Sequence, residues 1–294
     1  MMIIHDQIKF LTDEINHLRS DGKKLGLVPT MGALHDGHLS LMKHSFRDND
    51  LTAVSIFVNP IQFNHIEDLE KYPGDLQKDL EKLDKILRQN DLVFTPDVNE
   101  MYRDPVTHIF DFGNLDKVME GKYRKGHFNG VAIIVSKLLE IFQPDKAYFG
   151  QKDFQQLVII KSLVKQLDLP VTIVSCPIVR EHDGLAMSSR NVLLSEKQRK
   201  EAALIPETLF SAVQKSKSLS VKELKRWVIK RINNNPELRV EYFVIVDNIE
   251  LFPVKSWEEK KEKYGCIAVN VGTVRLIDNV KFPEKIEKVN PDYS

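Results

Sequence analysis

The chain has 294 residues, of which 42% are hydrophobic, enough to bury one large core or two ordinary ones. Lys plus Arg equals Asp plus Glu at 42 each, so no net field draws it to nucleic acid or to an anionic membrane surface. Its two cysteines, Cys176 and Cys266, stand alone in apolar runs and make neither a zinc pattern nor a disulfide framework. The opening MMIIHDQIKF carries charge too early for a signal-peptide core, and no apolar run reaches membrane-spanning length. The expectation is a soluble, cytoplasmic protein.

In chain order, Ile8, Leu11, Ile15 and Leu18 recur at helical spacing over 6–20, and Asp21-Gly22 stops that helix. Leu25 to Val28 is a short apolar strand ending at Pro29. Gly32 and Gly37 lie in the loop that follows, and Leu39, Met42 and Phe46 then resume helical spacing. The run 51–58 (LTAVSIFV) reads as a parallel strand covered on both faces, closed by Asn59-Pro60. A helix is predicted over 75–89 and a short strand over 92–96. Residues 100–127 mix Gly, Pro and charge, and read as irregular with one short strand near THIFDF. A helix over 131–142, a strand over 147–150, a helix over 153–166 and an apolar strand over 171–179 complete a strand–helix alternation. That pattern predicts a doubly wound parallel sheet, with ligands beyond the carboxyl ends of its strands.

After residue 184 the pattern changes. One helix is expected from an N-cap at Ser195 to about Lys215, and a second over SVKELKRWVIKRINN. Strands follow over 240–247, 266–271 and 273–278, with Gly272-Thr273 as a tight turn. The Lys/Glu-rich stretch 255–263 reads as a solvated loop or helix face. The expected division is 1–184 as a Rossmann-like domain and 185–294 as a smaller α+β domain.

Four segments carry residues suited to chemistry. The strand–loop–helix over 25–47 is the local plan of a phosphate cradle, where glycines admit close backbone approach and a helix N-terminus faces the anion. His35 and His38 lie there, able to donate to phosphate oxygens; a His-x-x-His metal site is the weaker reading, and turn histidines bonded to backbone the plain one. Asn59, Gln62 and Phe63 follow the second strand, where uncharged amides can orient a polar substrate or merely finish a turn. In Gly150-Gln151-Lys152-Asp153, Lys152 can neutralise phosphate and Asp153 can hold a ribose hydroxyl or cap the next helix, with Gln156 on the same helical face. Met187, Ser188, Ser189, Arg190 and Asn191 offer hydroxyls and a guanidinium suited to a polyphosphate, or form an interdomain loop with a surface arginine. As a serine-nucleophile site this last segment lacks the spaced glycines of a strained elbow.

Together PTMGALHDGH, SIFVNPIQF, FGQKDFQQL and DGLAMSSRN resemble the pantoate–β-alanine ligase (pantothenate synthetase) family, nearly end to end. His35-Asp36-Gly37-His38 is similar to the HxGH signature of adenylate-forming nucleotidyltransferases, and Met187–Arg190 to their KMSKS-type phosphate loop. The resemblance implies an ATP-dependent, homodimeric ligase with Mg²⁺ that makes pantoyl adenylate and pyrophosphate. β-Alanine then attacks, giving pantothenate and AMP. It implies that Met31, Gly32, Ala33, Leu34, His35, Asp36, Gly37 and His38 run along ATP. Gly150, Gln151, Lys152, Asp153, Val179, Met187, Ser188, Ser189 and Arg190 fall on the nucleotide too. His35, His38, Lys152 and Arg190 are then the groups stabilising charge, and Gln62, Gln156 and Asn59 the acid and amine contacts. The small C-terminal domain is implied to close over ATP.

Three positions depart from the family pattern. Gln151 stands where glutamate is common, Gly74 where arginine is common, and Arg103 where proline usually follows Tyr102. Two rival functions remain open to the sequence: a nucleotidyltransferase of the same fold forming a dinucleotide, and a nucleotide- or metal-binding module without turnover.

Overall fold

The computed structural model describes residues 2–64, 69–70, 72–104, 107–259 and 261–283. These fall into two compact units, Met1–Glu181 with Ala186–Val192, and His182–Leu185 with Leu193–Ser294.

The first unit runs β1 (Ile3–His5), α1 (Ile8–Arg19), β2 (Leu25–Thr30), α2 (Asp36–Asp48), β3 (Leu51–Ile56), a 3-10 turn (Pro60–Gln62), α3 (Leu76–Asp84) and β4 (Leu92–Phe94). It continues through α4 (Val98–Met101), α5 (Met119–Tyr123), α6 (His127–Phe142), β5 (Lys146–Gly150), a 3-10 turn (Gln151–Asp153), α7 (Phe154–Gln166) and β6 (Thr172–Cys176). The sheet order is β1-β4-β3-β2-β5-β6 and every pairing is parallel. This is the doubly wound sheet that the alternating pattern predicts.

Successive side chains on a strand point to opposite faces, so each inner strand feeds two cores. Leu27, Ala53 and Phe94 pack with Leu11 and Ile15 of α1 and Phe142 of α6. Val28, Val54 and Val93 pack on the other face with Leu41 and Met42 of α2 and Leu83 of α3. Both faces being covered explains why these strands read as continuous apolar runs. Strand order reverses between β2 and β5, whose carboxyl ends lead into Met31–His35 and Gln151–Asp153. A doubly wound sheet opens its ligand crevice at such a point.

The second unit holds α8 (Glu196–Ala202), α9 (Leu204–Lys215), α10 (Val221–Asn233) and the antiparallel strands β7 (Leu238–Asp247), β8 (Lys263–Val271) and β9 (Val274–Phe282), ordered β7-β8-β9. Leu209, Leu224 and Val228 of the helices bury against Phe243, Ile267 and Leu276 of the sheet.

Several expectations need correction. The helix expected from Ser195 to Lys215 is two, broken at Ala203, because Pro206 has no N–H for the Ala202 carbonyl one turn back. THIFDF forms no strand; the Phe110 amide donates instead to the Asn129 side chain at 2.9 Å. The helix over 75–89 stops at Asp84, beyond which the Arg88 amide and guanidinium turn onto Asp91. Lys263, at the end of the stretch read as solvated, is buried at the start of β8 and donates to the Lys261 carbonyl at 3.0 Å. Among the described residues, no helix is long and apolar enough to cross a membrane.

Candidate active site

Beyond the carboxyl ends of β2, β3 and β5 lies a cleft of about 220 Å³. Its lining joins parts of all four sequence segments: Met31, His35, Gly37 and His38; Asn59 and Gln62; Gly150, Lys152, Asp153 and Gln156; and Val179 with Met187 to Arg190. Segments spread over about 160 residues of chain thus meet at one place.

The histidine loop folds back on itself. His35 is the N-cap of α2; its Nδ1 accepts the Gly37 amide at 3.1 Å, and its own amide donates to Nδ1 of His38 at 3.3 Å. The two rings lie against each other tilted by 37°, with centroids 4.1 Å apart. A nitrogen that accepts an amide N–H carries no proton, so each neutral ring carries its proton on Nε2. Burial, then the Lys152 charge, lowers His35 to about 4, and burial, then His35 and Lys152, lowers His38 to about 3. At neutral pH the pair is therefore two uncharged N–H donors beside a lysine. That suits hydrogen bonding to phosphate oxygens without a fixed positive charge at the rings.

Some residues of the first segment stand behind the cleft. Gly32, Ala33, Leu34 and Asp36 do not line it, and neither does Gln151. Instead, the amides of Ala33 and Leu34 each donate at 2.7 Å to the buried carboxylate of Asp79 on α3. Lys82, one turn further, donates to the Leu34 carbonyl at 2.5 Å. Gly32, at φ +77°, makes the left-handed bend that aims those amides at Asp79. The loop's N–H groups are thus bound within the protein rather than left for a ligand.

The amides of the second segment are also held. Asn59 Nδ2 donates to the Gly130 carbonyl at 3.1 Å and to Gln62 Oε1 at 3.2 Å, and Gln62 Nε2 contacts Met31 Sδ at 2.6 Å. His127, lowered to about 4 chiefly by burial and then by Arg124, is neutral and hydrogen-bonds the Gln62 carbonyl through Nδ1 at 2.7 Å. Of the two adjacent glutamines on α7, Gln155 is buried and binds the backbone of Leu115, Val118 and Glu120. Gln156 faces the cleft.

Asp153 precedes α7 without capping it; its carboxylate lies 3.5 Å from Lys152 Nζ. A Cβ at Gly150 would meet open space, so the backbone there is bare to the cleft. The last segment is seated by the Met187 amide, which donates to the Val179 carbonyl at 3.0 Å, and by Asn191, which donates to Glu181 at 2.8 Å. Burial raises the phenol of Tyr72, opposed by its hydrogen bond to Ser189. Gly74, one of the departures from the family pattern, donates its amide to the Tyr72 carbonyl at 2.8 Å. Phe63, just after the turn, stacks edge-on against Tyr72 at 6.1 Å.

Asp79, Lys82 and His127 are not singled out by the sequence, and Tyr72 and Tyr102 enter it only as members of the loops, flanking the site, that carry the departures at Gly74 and Arg103. A signal existed for Asp79: it lies on the same helical stripe as Leu76, Leu80 and Leu83, and a carboxylate in an apolar stripe needs a partner.

Among the described residues no cluster of three or more His, Cys, Asp or Glu side chains is placed to hold a metal. His35 and His38 spend Nδ1 on backbone amides, which leaves the His-x-x-His metal reading without support.

Comparison with known proteins agrees with this architecture. The family model for pantoate-beta-alanine ligase matches residues 3–281. The pantothenate synthetase of Bacteroides thetaiotaomicron is 52% identical over 284 residues, covering 97% of this chain and 100% of the relative. That of Porphyromonas gingivalis is 47% identical over 283 residues, covering 96% and 100%. Among solved structures, pantothenate synthetase from Thermus thermophilus superposes with a TM-score of 0.89 at 38% identity, covering 96% of this chain and 100% of the other. Pantoate-beta-alanine ligase from Francisella tularensis, complexed with β,γ ATP and β-alanine, gives 0.79 at 36% identity, covering 96% and 98%. The chain belongs to the pantoate-beta-alanine ligase family.

Proposed function

We propose that this cleft joins pantoate to β-alanine at the expense of ATP. The observation that carries the reading is the meeting of two kinds of group in one cleft. Neutral imidazole donors sit with Lys152 and Arg190, while the carboxamides of Gln62 and Gln156 line the same walls. The first set suits a polyphosphate and the second an uncharged contact to a hydroxy acid. The Francisella tularensis relative, complexed with β,γ ATP and β-alanine, supports the nucleotide and the amine.

In the first step a pantoate carboxylate oxygen bonds to the α-phosphorus of ATP as the bond to the β-phosphate oxygen breaks, and pyrophosphate leaves with that electron pair. The carboxylate is ionised at neutral pH and needs no general base. Lys152, Arg190, Ser188, Ser189 and the Nε2–H groups of His35 and His38 stabilise charge on the phosphates, and Gln62 and Gln156 hold the acid in line, with Asn59 behind Gln62. In the second step the β-alanine amine attacks the acyl carbon, AMP leaves with the electron pair of the acyl–oxygen bond, and the new amide nitrogen gives one proton to water. No covalent enzyme intermediate is involved.

The nucleotide is read as MgATP. Asp153 is the one carboxylate lining the cleft among the described residues, which fits an ion held largely by phosphates and water. Mg²⁺ would neutralise phosphate charge beside Lys152. The same reading takes residues 185–294 as a lid domain and the assembly as a cytoplasmic homodimer, the latter testable by sedimentation.

The test measures AMP and pyrophosphate release from ATP, leaving out pantoate and β-alanine in turn. Sustained AMP release needing both, with pyrophosphate from pantoate alone limited to about one equivalent per site, is the expected result. Pyrophosphate without AMP, using another acceptor, would indicate a dinucleotide-forming transferase, and no release at all a binding module.

A further inference from the structure

The side chain of Gln62 reaches the cleft at the end of a directed chain of hydrogen bonds. The chain begins at Tyr102, which does not line the cleft. The Tyr102 hydroxyl donates to Asn59 Oδ1 at 2.7 Å, and Asn59 Nδ2 donates in turn to Gln62 Oε1 at 3.2 Å and to the Gly130 carbonyl at 3.1 Å. Asn59 is 1% exposed, so its amide has no water to fall back on. Each link has one workable direction. A flipped Asn59 would set its oxygen against the Gly130 carbonyl, and a flipped Gln62 would set two NH₂ groups face to face. With Oε1 occupied, Gln62 presents Nε2 to the cleft, where its partner is the thioether of Met31 at 2.6 Å. Sulfur is a weak acceptor, easily exchanged for a carboxylate or hydroxyl oxygen of a substrate.

Tyr102 is itself held firmly. It follows α4, whose N-cap Asp97 accepts the Glu100 amide at 2.7 Å. Glu100 accepts the Ile8 amide at 2.8 Å and pairs with Arg103 at 2.7 Å. The Tyr102 ring packs against Phe57 with centroids 6.1 Å apart. Arg103 thus ties down the turn at the position where the family pattern has proline. Burial raises the phenol, which keeps its proton on oxygen and the link in its donating sense.

We propose that Tyr102 is a positioning residue for the acid substrate: through Asn59 it orients the Gln62 carboxamide so that the NH₂ group faces pantoate. This rests on the reading of Gln62 as a pantoate contact.

The test compares Tyr102→Phe, Gln62→Ala and the double variant by steady-state kinetics with pantoate and ATP varied separately. Removing the hydroxyl is expected to raise the pantoate KM about tenfold, as loss of one oriented hydrogen bond does, while the ATP KM stays within about twofold. In the Gln62→Ala background the same change should add less than about twofold, because Tyr102 has nothing left to orient. Asn59→Asp keeps the acceptor for Tyr102, removes the donor to Gln62, and should reproduce the pantoate defect. An equal cost in both backgrounds, an equal rise in both KM values, or no pantoate effect of Tyr102→Phe overturns the proposal. A Gln62→Ala variant with unchanged pantoate KM instead overturns the underlying reading of Gln62.

Discussion

The carboxylate of Asp79 accepts the amide of Leu34 at 2.7 Å, linking the inner face of α3 to the loop that ends at the paired histidines. The second oxygen takes the Ala33 amide at the same distance, so one buried side chain sets the backbone of the loop from behind. An asparagine in its place keeps one acceptor and turns an NH₂ group toward the other amide. Asp79→Asn should lower unfolding stability by about 2 kcal/mol, as loss of a charge-assisted bond with one buried amide left unpaired does. It should also raise the ATP KM more than the pantoate KM. Urea unfolding together with the two KM values checks this.

The His35 and His38 rings are neutral donors, and their titration lies far below the ordinary value of 6.5, at about 4 and about 3. The unfolded chain takes up these protons near 6.5 and the folded chain does not. Stability therefore falls as pH drops from about 6.5 toward 4, and is undiminished by this pair above that window. Imidazole ¹⁵N spectra should show both rings as Nε2–H tautomers, unchanged between pH 8 and pH 5.5. A titration of either ring near 6.5 would show that it is not held as described.

Gly130 begins the second turn of α6, where alanine would ordinarily stabilise a helix by about 1 kcal/mol. A Cβ there would stand 2.5 Å from the Ile61 carbonyl oxygen and 2.7 Å from Gln62 Cα. Those are backbone atoms that cannot swing aside, so the turn carrying Gln62 must move. Gly130→Ala should destabilise despite its helix propensity, and raise the pantoate KM while the ATP KM changes little.

Lys152, ahead of Lys82, is the stronger of two cations whose fields reach both histidines. Lys152→Ala should cost about 10²–10³-fold in kcat, the size of losing one preorganised group at developing phosphate charge. Arg190→Lys should recover only part of the loss from Arg190→Ala, since an ammonium lacks the guanidinium fork. Single-turnover AMP formation separates these effects from product release.

The parallel sheet was legible because both of its faces are covered, which leaves inner strands such as β2 and β3 as largely apolar runs bounded by turn residues. The four polar segments were legible because each follows a strand end or its linker. What stayed hidden was the support behind them. Whether Gln155 or Gln156 enters the cleft depends on how α7 rotates against residues 115–120, which adjacent positions in a sequence do not reveal. Tyr102 and His127 lie 43 and 65 residues from the side chain and backbone they hold, within a stretch that has no periodicity to read. That the amides of Ala33 and Leu34 turn inward to the protein stayed hidden for a related reason. The acceptor, Asp79, arrives from a helix more than 40 residues downstream.

On the proposed function, the acid is activated by direct attack of its carboxylate on the α-phosphorus of ATP. Pantoate labelled with ¹⁸O in its carboxylate, turned over with ATP and β-alanine, tests it most directly. One ¹⁸O is expected in the phosphate of the AMP released and none in pyrophosphate. Unlabelled AMP, or label in pyrophosphate or inorganic phosphate, would contradict it.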